Sequence, residues 1–446
     1  MVPGKNLLSA AFAALVFAGT LGAQAPVTSV SLNDAIQRAR LASPAVVAAD
    51  GSIRSAELSV RTATWALLPN LVVNPQMSLN LSNGNGSRLD PITGELISGN
   101  VSSPTYTFGA SASYTLFDGF ARNYTLKQQR ANEENANATL VATKLNSDLA
   151  TTQTFFSALA SKQQVAVATK NLEAADGQLK LAAAKLHAGS ATRSDSLTAL
   201  GSYLQARLQL LQAQNAVVAN EASLGRLVGV AGRVAAADDS AFYKPATPID
   251  TAAVRAEALT SSPVVQSAEA SLLVAQQSWR ASKAAYYPTL AVSAAQSWVG
   301  QWATPSPPSS STTSGLASHR NLALTLSFSP WTSYARETTI ENNAIRITNA
   351  EATLIDTRNS ISAQVNQAYA TLSTALETID VSASAVVAGD ENMRVVTERY
   401  RTGVATITEV LSAQQLLTTA QVSQLTARYS YLNAKAQLEQ ILGRKL

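Results

Sequence analysis

The amino-acid sequence predicts a mixed α/β membrane protein that consists of two tandem structural repeats. Three observations lead to this prediction. An internal repeat covers most of the chain, short segments alternate apolar with small polar residues, and two segments of about 65 residues carry helical patterns without proline. Each repeat is expected to hold a first helix, a β-hairpin and a pair of long helices.

The first residues of the chain have the three parts of a secretory signal. Lys5 is followed by an apolar stretch from Leu7 to Thr20 and then by small residues. We expect cleavage after Ala23, so that residues 1–23 are a signal peptide and the mature protein is exported. A retained membrane anchor is the alternative, and it is disfavoured because a spanning helix needs about 20 apolar residues. No later apolar segment approaches that length, so any insertion into a membrane would use strands that close into a barrel.

Composition argues against several function classes. The 446 residues contain no cysteine, which excludes disulfides, thiol catalysis and a lipid anchor on cysteine. The net charge is only +4 and no Lys/Arg cluster is interleaved with aromatic residues, so no nucleic-acid partner is expected. His187 and His319 lie far apart, so neither a metal site nor a cofactor is expected. Without a glycine-rich phosphate loop or a nucleophile in a known context, the chain is not expected to be an enzyme.

The two repeats are related by two sequence offsets. The offset is 219 residues at first, as from Pro69 to Pro288, and later 214 residues, as from Gly189 to Gly403. It changes within two segments rich in Ser, Gly, Asn and Pro, which are therefore predicted to be exposed loops: residues 77–105 and 296–319. The predicted domains are repeat 1 at residues 24–230, a linker or equatorial segment at 231–249, and repeat 2 at 250–446.

The first predicted helix of each repeat ends shortly before a proline. These helices extend from about Leu32 to Trp65 and from about Thr251 to Ala285. Pro69 and Pro288 stop the helical pattern, because proline lacks the amide hydrogen and disfavours helix in the residue before it. Extended chain is expected after both prolines.

Strands are predicted where apolar and small polar residues alternate. The pattern is clear in Thr105–Asp118 and in Leu322–Phe328, and weaker in Leu68–Ser82 and Leu290–Trp298, the expected hairpin partners. Period two with one apolar face is typical of transmembrane barrel strands, although a sandwich core would show it too. Aromatic residues near the strand ends are expected to form a girdle at the membrane interface: Phe117, Trp298, Trp302, Trp331 and Tyr334.

Very long helices are predicted after the strands. No proline interrupts Ala121 to about Leu186 or Ala335 to about Tyr400, and a helix of that size is on the order of 100 Å long. Each is followed by a short turn and a return helix that ends at Gly229 or Gly443. Helices of this length are unsuited to the surface of a compact domain.

The number of predicted strands requires association of chains. Each chain supplies four strands, which are too few to close a barrel and would leave two open edges in lipid. Three chains give twelve strands, an even number as in known barrels, and would align the long helices into a tube. Strand counting demands an oligomer, but it does not by itself select three chains over two or four.

The tips between the paired long helices share a sequence motif. Both follow the form G-x-A-T-x-x-[DE]-x-L-x-A, starting at Gly189 and at Gly403. With the order of elements over the whole mature chain, these tips resemble the TolC-type outer-membrane efflux proteins. The resemblance implies a trimer with a 12-stranded outer-membrane β-barrel and a periplasmic α-helical barrel. It also implies a passive exit channel that works with a periplasmic adaptor (membrane-fusion) protein and an inner-membrane pump.

The tip residues have a structural and a functional interpretation. Thr192 with Asp195, and Thr406 with Glu409, match the capping box of a helix N-terminus. The resemblance implies in addition that entrance gating residues lie here, namely Asp195, Tyr400 and Glu409, with Arg399 and Arg401 as alternative contacts. It implies adaptor docking at Gly189, Ala191, Thr192, Leu197, Gly403, Ala405, Thr406 and Leu411. The chain departs from the family pattern at Ser412, where a second acid is expected, and at Ala405, where a basic residue is expected.

Two alternative functions are compatible with parts of the sequence. The same duct could belong to a type I protein secretion system, because the duct carries little record of its cargo. An exported coiled-coil scaffold or adaptor is an alternative of a different class. A scaffold would need sustained apolar heptads and would not need alternating strands of matched register.

Overall fold

The computed structural model describes residues 28–82, 87–89, 96–98, 101–239, 242, 251–301 and 317–444. The predicted signal peptide and Trp302 lie outside these ranges. The helices are α1 Leu32–Ala42, α2 Pro44–Trp65, α3 Ala121–His187, α4 Arg193–Leu227, α5 Thr251–Ser261, α6 Pro263–Lys283, α7 Ala335–Arg401 and α8 Ile407–Leu442. The strands are β1 Thr28–Val30, β2 Asn70–Ser82, β3 Ser87–Leu89, β4 Leu96–Ser98, β5 Val101–Phe117, β6 Val234–Ala236, β7 Thr289–Gln301 and β8 Ala317–Ser327.

The chain divides into two compact units, each built from three stretches of sequence. The tip unit comprises Met1–Ala39, Thr151–Phe242 and Val381–Tyr429, and the sheet unit comprises Arg40–Ala150, Tyr243–Asp380 and Ser430–Leu446. Among the described residues, no helix combines the length and the hydropathy required to cross a membrane.

The sheet unit contains a four-stranded antiparallel sheet in the order β2-β5-β7-β8. Both predicted hairpins, β2–β5 and β7–β8, are confirmed, and pairing of β5 with β7 joins them into one sheet. Among the described residues β2 and β8 each have a single hydrogen-bonded neighbour, so each presents an open edge. One rung of the sheet consists of Leu71, Ala112, Ala294 and Leu322 on one face, so the alternation does give an apolar face.

The strands extend further into the predicted loops than the sequence indicated. Residues 101–104, 299–301 and 317–319 belong to β5, β7 and β8, although the sequence predicts them only as loop. Residues 77–82, 105 and 296–298, where the predicted strands and loops overlap, are also strand. The short strands β3 and β4 also pair with each other inside the first loop. The Ser- and Asn-rich composition misled the assignment, because ladder hydrogen bonds are made by the backbone and continue through small polar residues.

The sequence predicts one continuous first helix in each repeat, but the structure has two helices in each of these places. Ser43 has φ −70° and ψ 117°, and Ser262 has φ −61° and ψ 123°, so both are extended and separate α1 from α2 and α5 from α6. Pro44 and Pro263 start the second helix of each pair, where the missing amide hydrogen costs nothing. The residue before proline avoids the helical region, which explains both breaks.

The strand-to-helix junctions of the two repeats have the same geometry. Gly119 and Phe120 both have positive φ before α3, and Ser333 and Tyr334 both have positive φ before α7. Left-handed backbone costs a non-glycine residue about 1–2 kcal/mol, so these turns are held by other contacts. The Arg122 guanidinium donates to the Thr115 carbonyl at 2.6 Å, and Arg336 donates to the equivalent Ser329 carbonyl at 3.4 Å.

Small residues at seven-residue spacing are buried at the contacts between the long helices in the tip unit. Ala199, Ala206 and Ala213 on α4 and Ala413, Ala420 and Ala427 on α8 are all buried. On α7 the series continues through Ser382 and Gly389, and a Cβ atom added to Gly389 would lie 3.3 Å from the Leu417 Cα atom. Heptad spacing keeps one helix face toward its partner, and small side chains let the backbones approach closely.

The end of α4 is fixed by a close backbone contact within the tip unit. The chain turns back at Gly229, φ 73°, and β6 then pairs in parallel with β1. Arg233 donates to the Glu221 carboxylate from Nε at 3.0 Å and from Nη2 at 2.7 Å. A Cβ atom on Gly225 would lie 2.1 Å from the Gly232 carbonyl oxygen, whereas one on Gly201 in the same helix would meet nothing within 4 Å.

This contrast predicts opposite effects of the same substitution at two positions of α4. Gly201→Ala should stabilise the helix by about 0.5–1 kcal/mol, the usual difference in helix propensity. Gly225→Ala should instead destabilise the protein by about 1–3 kcal/mol, because backbone has to move to admit the methyl group. Thermal loss of the helical circular-dichroism signal in detergent measures both, and a higher midpoint for Gly225→Ala would contradict the packing described here.

Candidate functional site at the helical hairpin tips

The first tip joins α3 to α4 through a glycine turn and a capping box. Gly189 has φ 74°, and the Ser190 amide donates to the Lys185 carbonyl at 2.9 Å, which ends α3. The Thr192 amide donates to the Asp195 carboxylate at 2.8 Å, and the Asp195 amide donates to the Thr192 hydroxyl at 3.2 Å. The predicted capping box is therefore present. Hydrogen bonds that the Thr192 amide and hydroxyl donate to the Asp195 carboxylate hold the pKa of Asp195 below its ordinary value.

The second tip repeats this arrangement between α7 and α8. Gly403 has φ 84°, and the Val404 amide donates to the Arg399 carbonyl at 2.9 Å. The Thr406 amide donates to Glu409 Oε1 at 3.1 Å, and the Glu409 amide donates to the Thr406 hydroxyl at 3.3 Å. Both tips are thus short, rigid turns whose acidic side chains satisfy the first amides of the outgoing helix.

Glu409 combines its capping role with a second electrostatic contact. Glu409 Oε1 accepts the capping hydrogen bond from the Thr406 amide, and Oε2 lies 3.6 Å from Arg399 Nη1. Both side chains are close to half exposed. The bonds from the Thr406 amide and hydroxyl lower the pKa of Glu409, and the Arg399 charge lowers it further. Glu409 is therefore an anion at neutral pH. Arg401 donates to the exposed Glu398 at 2.9 Å on the same helix instead of approaching Glu409.

Tyr400 is the aromatic residue of a small core that joins the two tips. This core consists of Ala182, Ala199, Val396, Tyr400, Ala405, Ile407, Val410 and Ala413, with Leu411 at its margin. Tyr400 is only 4% exposed, and its hydroxyl has no hydrogen-bond partner among the described residues. Burial raises the pKa of Tyr400, and the nearby Asp195 charge raises it further, so the phenol stays neutral. Asp195 and Tyr400, both predicted as gating residues, are therefore close but not hydrogen-bonded to each other.

Lys185 makes a polar contact between the two tips, and it was not identified from the sequence. Its ammonium donates to the Tyr400 carbonyl and lies 4.3 Å from the centroid of the Tyr400 ring. Such a cation–π contact contributes about 0.5–2 kcal/mol, depending on how far it is desolvated. In sequence, Lys185 is indistinguishable from any basic residue in the last turn of a helix, where it would favour the helix dipole.

A buried amide network lies further along the same helices. Gln178 and Gln414 are 6% and 7% exposed, and the Gln178 amide donates to the Gln414 side-chain oxygen. Gln414 also donates to Asn171 Oδ1 at 2.7 Å, which accepts from Thr418 at 3.2 Å. These bonds link α3 to α8. Polar residues in a helical interface specify its register, because any slip leaves the amides without partners.

The residues proposed for adaptor docking differ in accessibility. Gly189, Thr192, Leu197, Gly403 and Thr406 are exposed, whereas Ala191 and Leu411 are half-buried. Ala405 is buried in the core around Tyr400. Of the exposed members, Leu197 lies in α4 and the other four lie in the two turns, while Ala405 takes part in the packing of the core.

The residues predicted for the aromatic girdle lie in the sheet unit. Trp331 and Tyr334, just after β8, are 84% and 74% exposed. Phe117, at the helix end of β5, packs edge-on against Tyr287 with ring centroids 6.5 Å apart. Trp298, toward the loop end of β7, faces Phe108 at 5.6 Å between centroids. Aromatic side chains therefore lie at both ends of the apolar sheet face. In the described ranges no group of three or more potential metal ligands occurs.

Sequence comparison places most of this chain in one family. The outer membrane efflux protein family matches residues 35–230 and 254–444. The outer membrane efflux protein BepC of Brucella suis biovar 1 is 23% identical over 439 residues, which cover 97% of this chain and 89% of BepC. The pyoverdine export outer membrane protein OpmQ of Pseudomonas aeruginosa is 28% identical over 278 residues, which cover 60% of this chain and 56% of OpmQ.

Comparison with solved structures supports the same fold. The crystal structure of CusC, described for its transmembrane channel formation, aligns with a TM-score of 0.79 at 16% identity and covers 96% of both chains. At that identity the likeness concerns the fold alone. With the family match over both repeats, it leads to a plain conclusion: the chain belongs to the outer membrane efflux protein family and is a protein of the bacterial outer membrane.

Proposed function

We propose that this protein is the outer-membrane exit channel of a tripartite efflux system. A homotrimer conducts substrates passively from an inner-membrane pump and a periplasmic adaptor protein to the exterior, through a 12-stranded β-barrel continued by a periplasmic α-helical barrel. The observation that carries this proposal is the four-stranded sheet with one apolar face and two open edges, β2 and β8. In lipid these edges need partners, which copies of the same chain can supply.

The hairpin tips are the proposed periplasmic entrance. Three copies of the two tips would surround the channel axis with the Glu409 carboxylates, anions at neutral pH. Rings of acidic side chains favour cations in channels. The exposed turn residues, Gly189 and Gly403 among them, are proposed to meet the adaptor, and the contact of Lys185 with Tyr400 is proposed to hold the resting entrance together.

Two relatives bear on the choice between substrate classes. BepC is named for efflux and OpmQ for pyoverdine export, and neither name refers to protein secretion. This favours efflux over the alternative duct of a type I protein secretion system. A coiled-coil scaffold is disfavoured although heptad spacing does occur, because a scaffold does not need a sheet with a largely apolar, exposed face.

The proposed entrance predicts an effect of Glu409→Gln on ion selectivity. The amide keeps an oxygen that can accept from Thr406, so the helix cap is preserved while the charge is removed. We expect a several-fold loss of cation preference in planar bilayers, measured as the reversal potential across a salt gradient. Glu341→Gln, which removes an exposed acid near the start of α7 and far in sequence from the tips, is the control and should leave the selectivity unchanged.

The pH dependence follows from the lowered pKa of Glu409. Its charge is present at neutral pH and is lost only as the pH falls through that lowered pKa. The parent channel should therefore approach the selectivity of Glu409→Gln in acid, while the variant changes little. Equal selectivity of parent and variant at neutral pH would remove Glu409 from the entrance and leave its capping role intact.

The contact between Lys185 and Tyr400 predicts a leak when it is removed. Lys185→Met keeps the aliphatic stem but loses the ammonium, and a loss of about 1 kcal/mol would shift a closed-to-open equilibrium roughly fivefold toward the open state. Single-channel recordings of open probability measure this shift. Lys180→Met is the matched control, since Lys180 lies exposed on the same helix and pairs with Asp176 one turn earlier. Identical recordings for the two variants would show that Lys185 does not hold the entrance.

A further inference from the structure

An arginine lies on the apolar face of the sheet, where such a residue is unexpected. Arg320 pairs across the strands with Gln296, in the rung next to that of Leu71, Ala112, Ala294 and Leu322. Its Nε donates to Gln296 Oε1 at 2.9 Å, so both side chains lie on this face. Arg320 is exposed, and among the described residues its Nη atoms have no hydrogen-bond partner. At the midplane of a bilayer an outward-facing Arg costs about 2–4 kcal/mol, which falls nearly to zero close to the interface.

The position of Arg320 along the strand places it near an interface. It lies eight residues from Phe328 toward the loop end, about 26 Å along the chain. With the usual strand tilt of about 40° this is roughly 20 Å of height in an apolar band about 25 Å tall. The next rung toward the loops holds the aromatic pair Phe108 and Trp298. A guanidinium at this height can extend to the lipid headgroups while its stem stays in the apolar layer.

A shallow depression of the apolar face adjoins Arg320. It has a volume of about 460 Å³, and its floor is made by Ala110, Ala112 and Ala294, between the larger Leu71 and Leu322. Arg320 and Gln296 line the same depression. The depression therefore has an apolar floor, with a cation and an amide at the side nearer the loops. A lipid has the matching arrangement, with its acyl chain in the apolar layer and its polar headgroup at the interface.

We propose that this depression is a lipid-binding site for a phosphomonoester-bearing lipid of the outer membrane. The Arg320 Nη atoms and the Gln296 amide would bind the phosphate, and the alanine floor would take an acyl chain. A phosphomonoester carries up to two negative charges and three acceptor oxygens, a good match for a guanidinium. The proposal rests on the proposed membrane orientation of the sheet, but it does not depend on efflux activity.

Lipid retention tests this site. Purified protein in nanodiscs of phosphatidylcholine with a minor fraction of bisphosphorylated lipid A is analysed by native mass spectrometry, and retained lipid A is counted. Arg320→Gln should retain about tenfold less, the effect of losing one charge-assisted contact. Ala294→Trp, which fills the depression and keeps the charge, should also lose retention. Arg346→Gln, an exposed arginine on α7, is the control and should behave like the parent.

Several outcomes would overturn the proposal. Unchanged retention in Arg320→Gln or in Ala294→Trp would show that the guanidinium or the depression is not used. An equal loss in Arg346→Gln would reveal nonspecific charge attraction, and displacement of lipid A by millimolar inorganic phosphate would assign the site to anions from solution. Conductance is recorded on the same preparations. A parent that retains lipid A but does not conduct would contradict the proposed function and leave this site standing.

Discussion

Lipid offers no hydrogen bonds, so every backbone amide and carbonyl that enters it needs a protein partner. In the described part of the sheet unit this requirement is met inside the sheet but not at its borders, because β2 and β8 each pair on one side. The proposed association of chains and the proposed closure of their sheets into a barrel both derive from this constraint. The paired repeats fit it as well. Each supplies one hairpin, and the pairing of β5 with β7 makes the two hairpins a single sheet whose edge strands, within the described part of the chain, are β2 and β8.

Much of the fold could be predicted from local sequence, because its strongest patterns are long and uninterrupted. The alternation in Thr105–Asp118 gave the strand, and the absence of proline after Ala121 gave the long helix almost to the residue. The features of the fold that were not predicted either depend on contacts between distant residues or are obscured by the amino-acid composition. The pairing between β5 and β7 cannot be predicted from local sequence, because the sequence of a hairpin does not show which of its two strands will pair with the other hairpin. Pro44 is a local signal for the break at Ser43, but the helical periodicity on both sides of it is a stronger signal and predicts one helix. Heptads of alanine went unnoticed because alanine is abundant everywhere in this chain.

In the candidate site, too, local motifs could be predicted from the sequence and long-range contacts could not. Both capping boxes were predictable, since Thr and an acid three residues later form a local motif with a local function. Lys185 was not predictable, because its partner Tyr400 is more than two hundred residues away and the contact uses the backbone carbonyl and ring face. The amide network of Gln178 and Gln414 is hidden for the same reason. Residues that join the hairpins reveal themselves only when α3, α7 and α8 are packed together.

Disulfide cross-linking between the two open edges tests the proposed closure most directly. The chain has no cysteine, so Leu71→Cys on β2 can be combined with cysteine at Leu322, Leu324 or Leu326 on β8 without background. Within one chain these edges lie about 14 Å apart, three strand spacings, and a disulfide needs Cα atoms within about 7 Å. Non-reducing electrophoresis of oxidised membranes should therefore show a ladder that ends at three chains for at least one pair. Monomer alone for every pair would contradict closure by neighbouring copies.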